Sequence, residues 1–323
     1  MTRRGIWTVV LVCSLSACAS EAQPEAASRG PLPGMPIGSD VFLATLTTGA
    51  DGAIAVGDLE NATNRAGYDN QPFFTPDGSG IWYTVIDDHS GQADIWRYDL
   101  VSQRVTQVIA SAPESEYSAT PLPDGSGISV IRVEADSLQR LWRFDLDGGN
   151  PSVLLPDLAP VGYHKWVDNE TVVMFVLGRP ATLRIGNIGT GTVEIVGENV
   201  GRSIHNIPGS DAISFVQRFD DGLSGIMWLD PSTGVTELLA ETIEGGDYHA
   251  WTPSGTLLQG HESKLYAWMR EPGQSWVEIA DFSEMGISIS RLAVSPDGSH
   301  IAIVGEANSQ NCRDSDLCTV LQF

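Results

Sequence analysis

The sequence contains few basic residues, and lysine is the rarest of them. Its 323 residues include 18 Lys and Arg against 41 Asp and Glu, and its only lysines are Lys165 and Lys264. A surface with so large an excess of negative charge repels nucleic acid and anionic lipid headgroups. We therefore expect neither as a partner, and the charge favours solubility.

The chain also lacks an apolar run of membrane-spanning length near its start. The apolar stretch from Ile6 to Val12 is far shorter than the roughly 20 residues that a spanning helix needs. It follows Arg3 and Arg4 and precedes small residues, which is the pattern of a secretory signal peptide. Removing the signal with its two arginines leaves 16 basic residues against 41 acidic ones.

Cysteine is scarce, and one of the four cysteines ends the signal. The segment Leu15-Ser16-Ala17-Cys18 resembles the bacterial lipobox. That resemblance implies that Cys18 receives a diacylglycerol, that its new amino terminus is acylated and that residues 1–18 form a lipoprotein signal. Ala19 in place of Asp implies the outer membrane rather than retention at the inner one. The alternative is an ordinary signal with an incidental cysteine.

The remaining cysteines divide according to this processing. Cys13 is removed with the signal, whereas Cys312 and Cys318 form an even pair in an oxidising compartment, which favours a disulfide over a metal site. Residues 19–38 are rich in Ala, Pro, Gly and Ser without an apolar period, so they predict a flexible tether. The folded domain is expected over residues 39–323.

Internal repeats predict the fold. The segments FFTPDGSGIWYTV (73–85), PLPDGSGISVIRV (121–133) and AVSPDGSHIAIVG (293–305) each place a Pro-Asp-Gly turn between two apolar runs, as in a β-hairpin. Weaker copies lie between them. The six turn markers are spaced by 47, 45, 41, 44 and 43 residues: Asp77, Asp124, Asn169, Ser210, Ser254 and Asp297. This period predicts an all-β, six-bladed propeller with four antiparallel strands in each blade.

The sixth repeat has no outer strands after it. Residues 40–46 and 52–58 fit the patterns of the third and fourth strands, so the N-terminus is expected to complete the last blade and remove an open edge. The segment CTVLQF at 318–323 is the competing candidate for the third-strand position. The interpretation that we favour pairs that segment locally, next to the Cys312 to Cys318 bridge.

The turns resemble those of the TolB-type, WD40-like β-propeller repeat family. The matching segments are Phe74-Thr75-Pro76-Asp77-Gly78 and Val294-Ser295-Pro296-Asp297-Gly298. The resemblance covers residues 39–305 or more and implies the propeller fold. It does not imply one function, because such propellers include scaffolds, receptors and enzymes.

Three of the six histidines occupy one repeated position. His164, His205 and His249 each lie five residues before the turn marker, on the innermost strands of blades three, four and five. One hypothesis is a divalent transition-metal site, because three imidazoles leave a metal position open for water or substrate. The hypothesis we favour is that these histidines bond to neighbouring carbonyls or pack between blades.

No motif for nucleophilic catalysis accompanies these histidines. The sequence has no Gly-x-Ser-x-Gly elbow between a strand and a helix. We therefore predict a monomeric, non-catalytic binding or scaffolding module without a cofactor. It would be held by its lipid on the periplasmic face of the outer membrane and would engage an envelope protein, peptide or glycan. The alternative is a metal-dependent carbohydrate lyase or hydrolase.

Replacing Cys18→Ser tests the lipid anchor. The variant should move from the membrane fraction to the soluble periplasm, because more than one acyl chain is needed for stable anchoring. Immunoblots of the two fractions measure the shift, with Cys312→Ser as the control that stays with the membrane. Retention of the Cys18→Ser protein in the membrane would refute the anchor.

Overall fold

The structure is a computed structural model that describes residues 38–50, 52–243, 246–269 and 275–307. The predicted signal, lipidation site Cys18 and most of the tether lie outside the described residues. So do Cys312, Cys318 and the competing segment 318–323.

The described chain is built from β-strands, and the all-β prediction is confirmed. Its only helix is a single 3₁₀ turn, Ser283–Met285. No helix within the described ranges is long and apolar enough to cross a membrane. The strands are short and rich in β-branched and aromatic residues, which suit a pleated, half-buried surface.

The strands follow one another as successive antiparallel hairpins. The first seven are β1 (Ser39–Thr48), β2 (Ile54–Val56), β3 (Glu60–Asn61), β4 (Tyr68–Phe74), β5 (Gly80–Ile86), β6 (Ala93–Asp99) and β7 (Val105–Ile109). The next eight are β8 (Ser115–Pro121), β9 (Gly127–Val133), β10 (Gln139–Asp145), β11 (Ser152–Leu154), β12 (Val161–Trp166), β13 (Thr171–Val176), β14 (Thr182–Asn187) and β15 (Val193–Glu198). The last ten are β16 (Val200–Asn206), β17 (Ile213–Arg218), β18 (Ser224–Leu229), β19 (Thr236–Glu241), β20 (His249–Trp251), β21 (Leu257–His261), β22 (Lys264–Trp268), β23 (Val277–Asp281), β24 (Ile287–Val294) and β25 (His300–Ala307).

Four sheets contain four antiparallel strands each, taken consecutively as β8–β11, β12–β15, β16–β19 and β20–β23. The other strands form a nine-stranded sheet with the order β24-β25-β1-β4-β5-β6-β7, in which β2 and β3 also pair with β1. Within it, β1 and β4 share only one parallel residue pair, Ser39 with Tyr68. The four-stranded antiparallel sheets agree with the sequence prediction.

The Pro-Asp-Gly turns join the first and second strands of their units, and their side chains explain the motif. Asp77 accepts hydrogen bonds from the hydroxyl of Thr75 at 2.6 Å and from the backbone N–H of Ser79 at 3.1 Å. Gly78 has a φ of 69°, a left-handed value that favours glycine. The same bonds recur around Asp297. The motif therefore fixes a hairpin turn locally.

Strand β1 joins the beginning of the described chain to its end. It pairs antiparallel with β25 along seven residue pairs, from Ser39 with Glu306 to Thr45 with His300. Its Phe42 packs into the space beside Gly305, where an added Cβ would lie 2.7 Å from the Phe42 ring. Phe42 also belongs to a buried cluster with residues of β21, β22, β24 and β25.

The first strands β4, β8, β12, β16, β20 and β24 contact one another in sequence, and β24 contacts β4 in turn. The first strands thus form a cycle of contacts. We call the region that they border the channel. Apolar clusters fill the space between successive sheets; one combines Trp82 and Ile95 with Ile128 and Phe144 of the next sheet. Trp82, Trp166 and Trp251 are buried in these layers. Aromatic packing between sheets thus supports the channel wall.

Replacing Phe42→Ala tests how much β1 contributes to the fold. The substitution leaves a cavity between β1 and β25 and should lower the free energy of unfolding by about 3 to 5 kcal/mol. Urea denaturation measures the change. Thr47→Ala, at an exposed position of the same strand, is the control and should have little effect. A Phe42→Ala protein as stable as the control would contradict a structural role for this pairing.

Candidate functional site

The first strands are irregular where they border the channel. Five of them contain a register shift relative to the second strand, at Asn70/Phe73, Tyr117/Thr120, Val161/Tyr163, Val200/Ile204 and Ile289/Arg291. Two of the residues in these shifts, Gln71 and Ser118, have φ values of 57° and 56°. Such bulges redirect side chains and commonly occur beside functional sites.

His164 contacts a serine of the preceding sheet. Its Nε2 lies 2.7 Å from the Oγ of Ser129 on β9. Trp166 donates a hydrogen bond from Nε1 to the same oxygen at 2.8 Å. His164 and Trp166 therefore share one face of β12, as strand alternation predicts, and together attach this strand to the neighbouring sheet.

His249 repeats this arrangement two sheets later. Its Nε2 lies 2.8 Å from the Oγ of Ser214 on β17, and Trp251 donates its Nε1–H to that oxygen at 2.8 Å. His249 and Ser214 are fully buried. We call these two arrangements the Ser–His–Trp contacts.

His205 is held differently. Its Nε2 lies 3.1 Å from the hydroxyl of Ser203 on its own strand. The residue two positions later is Ile207 rather than tryptophan. The preceding sheet also lacks the serine. In the sheet of His205, Ser214 pairs with that histidine, whereas the corresponding partner of His164 in the preceding sheet is Met174. Serine and tryptophan thus occur together in two sheet pairs and are both missing from the third, a signal that the sequence contained.

All three histidines are neutral at pH 7. Burial lowers the pKa of His164, with a further contribution from the charge of Lys165, and burial alone lowers the pKa of His249; both fall to about 3. Burial and the neighbouring His249 and Lys165 also hold the pKa of His205 well below its usual value. A neutral imidazole suits a metal, so geometry decides whether they fit one.

The structure brings two of the three imidazoles together. The ring centroids of His205 and His249 are 4.9 Å apart, whereas no ring contact joins His164 to either. Each Nε2 already faces a serine hydroxyl. Among the described residues, no three His, Cys, Asp or Glu side chains are grouped so as to hold a metal. The residues do not fit the three-histidine site in this arrangement, and that site stays a prediction.

A group of tyrosines and arginines crosses the channel. Arg291 on β24 donates a hydrogen bond from Nη2 to the Tyr163 hydroxyl on β12 at 2.8 Å. Its guanidinium carbon lies 4.3 Å from the ring centroid of Tyr248 and 5.1 Å from that of Tyr163. Burial raises the pKa of the Tyr248 hydroxyl, and the charge of Arg202 on β16 offsets that rise in part. We call Tyr163, Arg202, Tyr248 and Arg291 the channel cluster.

The channel cluster was not predicted from the sequence, although a positional signal for it was present. Tyr163, Tyr248 and Arg291 each lie six residues before their turn marker, immediately before the histidine position. Regular alternation would direct neighbouring residues to opposite faces of a strand. The register shifts at Val161/Tyr163 and Ile289/Arg291 interrupt that alternation just before Tyr163 and Arg291. Counting alternate residues along these strands therefore does not predict which side chains meet in the cluster.

Charge and burial oppose each other within the channel cluster. Burial favours a higher pKa for the Tyr163 hydroxyl, but the charge and hydrogen bond of Arg291, together with Arg202, lower it overall. Burial raises the pKa of Tyr248 to about 12 despite both arginines. The pKa of Arg291 is raised, since the tyrosines outweigh the effect of burial. The arginines therefore stay charged, and they make this part of the channel positive.

Small cavities lie on two sides of the cluster. One of about 100 Å³ is lined by Tyr163, Lys165 and Arg202 with His164 and His205. The other, of about 200 Å³, is lined by Asp247, Tyr248, Ser290 and Arg291 among others, and Asp247 forms an ion pair with Arg218. Wider clefts of about 450 and 650 Å³ lie elsewhere, and their linings include Trp96 and Trp228, respectively. Three cationic side chains without ion pairs, Lys165, Arg202 and Arg291, line the channel cavities.

Several solved structures resemble this fold. TolB from Acinetobacter baumannii matches with a TM-score of 0.52 and 15% identity over 83% of this chain, which spans 65% of that protein's length. A protein assigned as TolB from Agrobacterium tumefaciens matches with a TM-score of 0.63 and 13% identity, covering 83% of this chain and 98% of its own. Oligogalacturonate lyase in complex with manganese matches with a TM-score of 0.53 and 14% identity, over 82% of this chain and 83% of the lyase.

These likenesses show a β-propeller fold. No protein-family model and no curated protein matches the sequence. At these identities the structural neighbours show the fold alone, and one fold supports many activities. The function must therefore be argued from the residues of the channel.

Replacing Ser214→Ala tests the Ser–His–Trp contact. The substitution leaves the Trp251 Nε1–H and the His249 Nε2 without their buried partner, at about 1 to 3 kcal/mol for each unsatisfied group. The free energy of unfolding should fall by about 2 to 4 kcal/mol, measured by urea denaturation. Ser224→Ala is the control in the same sheet, because the Ser224 hydroxyl makes no hydrogen bond among the described residues. Equal stability of both variants would refute the structural role.

Proposed function

We propose that this protein is a non-catalytic, six-bladed propeller that binds or scaffolds an envelope partner at its channel opening. In this proposal the lipid on Cys18 anchors it to the periplasmic face of the outer membrane. The partner is a protein, a peptide or a glycan.

The proposal of six blades is supported by the cycle of first strands. Four of the units are separate four-stranded sheets, and the nine-stranded sheet contains two further first strands, β4 and β24. In this interpretation β24, β25, β1 and β2 form one blade, and β4–β7 form another. The single Ser39 with Tyr68 pair joins them.

The binding function is supported by the division of the polar side chains at the channel between buried contacts that join sheets and groups that line cavities. A catalytic serine must be reachable by substrate and hydrogen-bonded to a base. The Ser129 and Ser214 hydroxyls do face histidines, but both serines are fully buried. Each also accepts a hydrogen bond from tryptophan. They hold the sheets together, and the channel cavities are lined by tyrosine, lysine and arginine side chains, whose O–H and N–H donors can bind a partner.

The alternative is a metal-dependent carbohydrate lyase or hydrolase with His164, His205 and His249 as ligands. A neighbouring structure, the oligogalacturonate lyase, is a complex with manganese. In the present chain each histidine Nε2 faces a serine. Lys165 adds a positive charge near His164 and His205, which disfavours a cation there. The binding function is therefore the better supported of the two.

Capture of a partner from solubilised envelope tests the binding function. The full chain, extracted in detergent and immobilised, should retain one partner in stoichiometric amount. The purified partner should then rebind saturably, which titration calorimetry measures. Failure to retain any stoichiometric partner from envelope protein or glycan fractions would contradict the proposal.

Elemental analysis of the same dialysed protein separates the two functions. The binding function predicts no stoichiometric transition metal in wild-type protein and none in His205→Ala. A stoichiometric metal that disappears in His205→Ala would favour the enzyme instead.

A further inference from the structure

Three cations meet around the channel without carboxylate partners. Arg65, Arg97, Arg132, Arg140, Arg218 and Lys264 all form ion pairs. Within the part of the chain that the structure describes, seven cations form none, and of these Lys165, Arg202 and Arg291 line the channel cavities whereas Arg104, Arg143, Arg179 and Arg184 do not. In a protein with 41 acidic residues against 18 basic ones, three unpaired cations that line the channel cavities need an explanation.

The cluster positions Arg291 while leaving most of its donors unused. A guanidinium has five N–H donors. Arg291 uses Nη2 to bond the Tyr163 hydroxyl, and this is its only hydrogen bond among the described residues. The Tyr163 and Tyr248 rings lie 5.1 and 4.3 Å from its guanidinium carbon. The side chain is thus held in place, with donors available to another group.

Lys165 and Arg202 add charge beside this guanidinium. Both line the cavity of about 100 Å³ together with Tyr163. The Lys165 Nζ lies 4.5 Å from the ring centroid of Phe73 on β4. Burial lowers the Lys165 pKa to about 8, so the amine is still mostly protonated at neutral pH. A positive cavity inside an acidic shell attracts anions locally while the outer surface repels them.

We propose that the channel cluster and Lys165 bind the terminal carboxylate of an extended peptide segment of the partner. The inference rests on the proposed binding function and specifies its ligand. A carboxylate accepts two parallel N–H donors from a guanidinium, which gives Arg a geometric preference for this anion. Capture of a terminal carboxylate is a recurring mode of peptide recognition.

The dimensions of the site favour a peptide end over an acidic sugar. The channel cavities, about 100 and 200 Å³, are smaller than the roughly 300 to 1,000 Å³ of pockets that enclose whole ligands. They accommodate a single carboxylate group and not a complete sugar ring together with the adjoining sugars of a glycan. Arg291 reaches across the channel to Tyr163 and limits passage along the axis. A ligand must then end at the cluster, and a peptide carries its carboxylate at its end.

Titration calorimetry of the detergent-extracted full chain tests this inference. The probes are N-acetyl trialanine as the free acid, the same peptide as its amide, galacturonate and inorganic phosphate. We expect saturable binding of the acid within about 10 mM, which covers millimolar affinities, and binding of the amide at least tenfold weaker. Galacturonate and phosphate should bind more weakly than the acid.

Substitutions assign the binding to these side chains. Arg291→Gln and the exposed Arg202→Gln should each weaken binding of the acid at least tenfold, whereas Arg291→Lys should recover only part of the loss. Arg104→Gln is the matched control, because Arg104 is exposed and also lacks an ion pair. Thermal melts check that each variant is folded, and Arg202→Gln decides the result if Arg291→Gln is not.

Each contrary result has one meaning. Equal binding of acid and amide, or no binding of the acid, overturns carboxylate recognition. Tighter binding of galacturonate overturns the peptide assignment, and tighter binding of phosphate overturns the preference for carboxylate. If Arg202→Gln and Arg291→Gln still retain the envelope partner, this inference fails while the binding function stands. If wild-type protein retains no partner, the binding function itself fails.

Discussion

The antiparallel pairing of β1 with β25 is the contact on which the other features of the channel depend. It joins residues near the two ends of the described chain, Ser39 and Glu306, so its formation must overcome a large loop-closure entropy. It also gives β25, and through it β24, a neighbour on the side where an edge would be open. Arg291 lies on β24, and its partner Tyr163 is 128 residues earlier. The channel cluster therefore depends on an arrangement of sheets that no local segment could hold alone.

Adjacent positions at the first strands have different roles. His164 and His249 are buried, neutral and bonded to serines of a neighbouring sheet, so they strengthen the wall of the channel. Tyr163 and Tyr248, which immediately precede them, instead contact Arg291, whose guanidinium keeps its charge. Burial accounts for this difference, because an unpaired ionised group is costly away from water and is tolerated where it faces a polar opening.

Much of the fold could be predicted from the sequence because its signals are local. Asp77 and Gly78 define a turn through bonds within five residues, and the period of these turns predicted four-stranded sheets. The histidine positions were also found by counting from the turn markers. Their partners Ser129 and Ser214 were not, because they lie 35 residues away in an adjacent sheet. Arg291 was missed because its partner Tyr163 lies 128 residues earlier, in a different sheet.

The sequence by itself determined the all-β class, the hairpin turns and the excess of negative charge, since turn chemistry, apolar alternation and composition act over short distances or none. Only the tertiary structure decided which side chains meet at the channel. It placed a serine within hydrogen-bonding distance of His164 and Trp166, and another of His249 and Trp251. It also left Arg202, Arg291 and Lys165 without an ion pair in the described chain. These contacts depend on how the first strands of different sheets lie side by side and on bulges in those strands. Both are properties of contacts between distant segments.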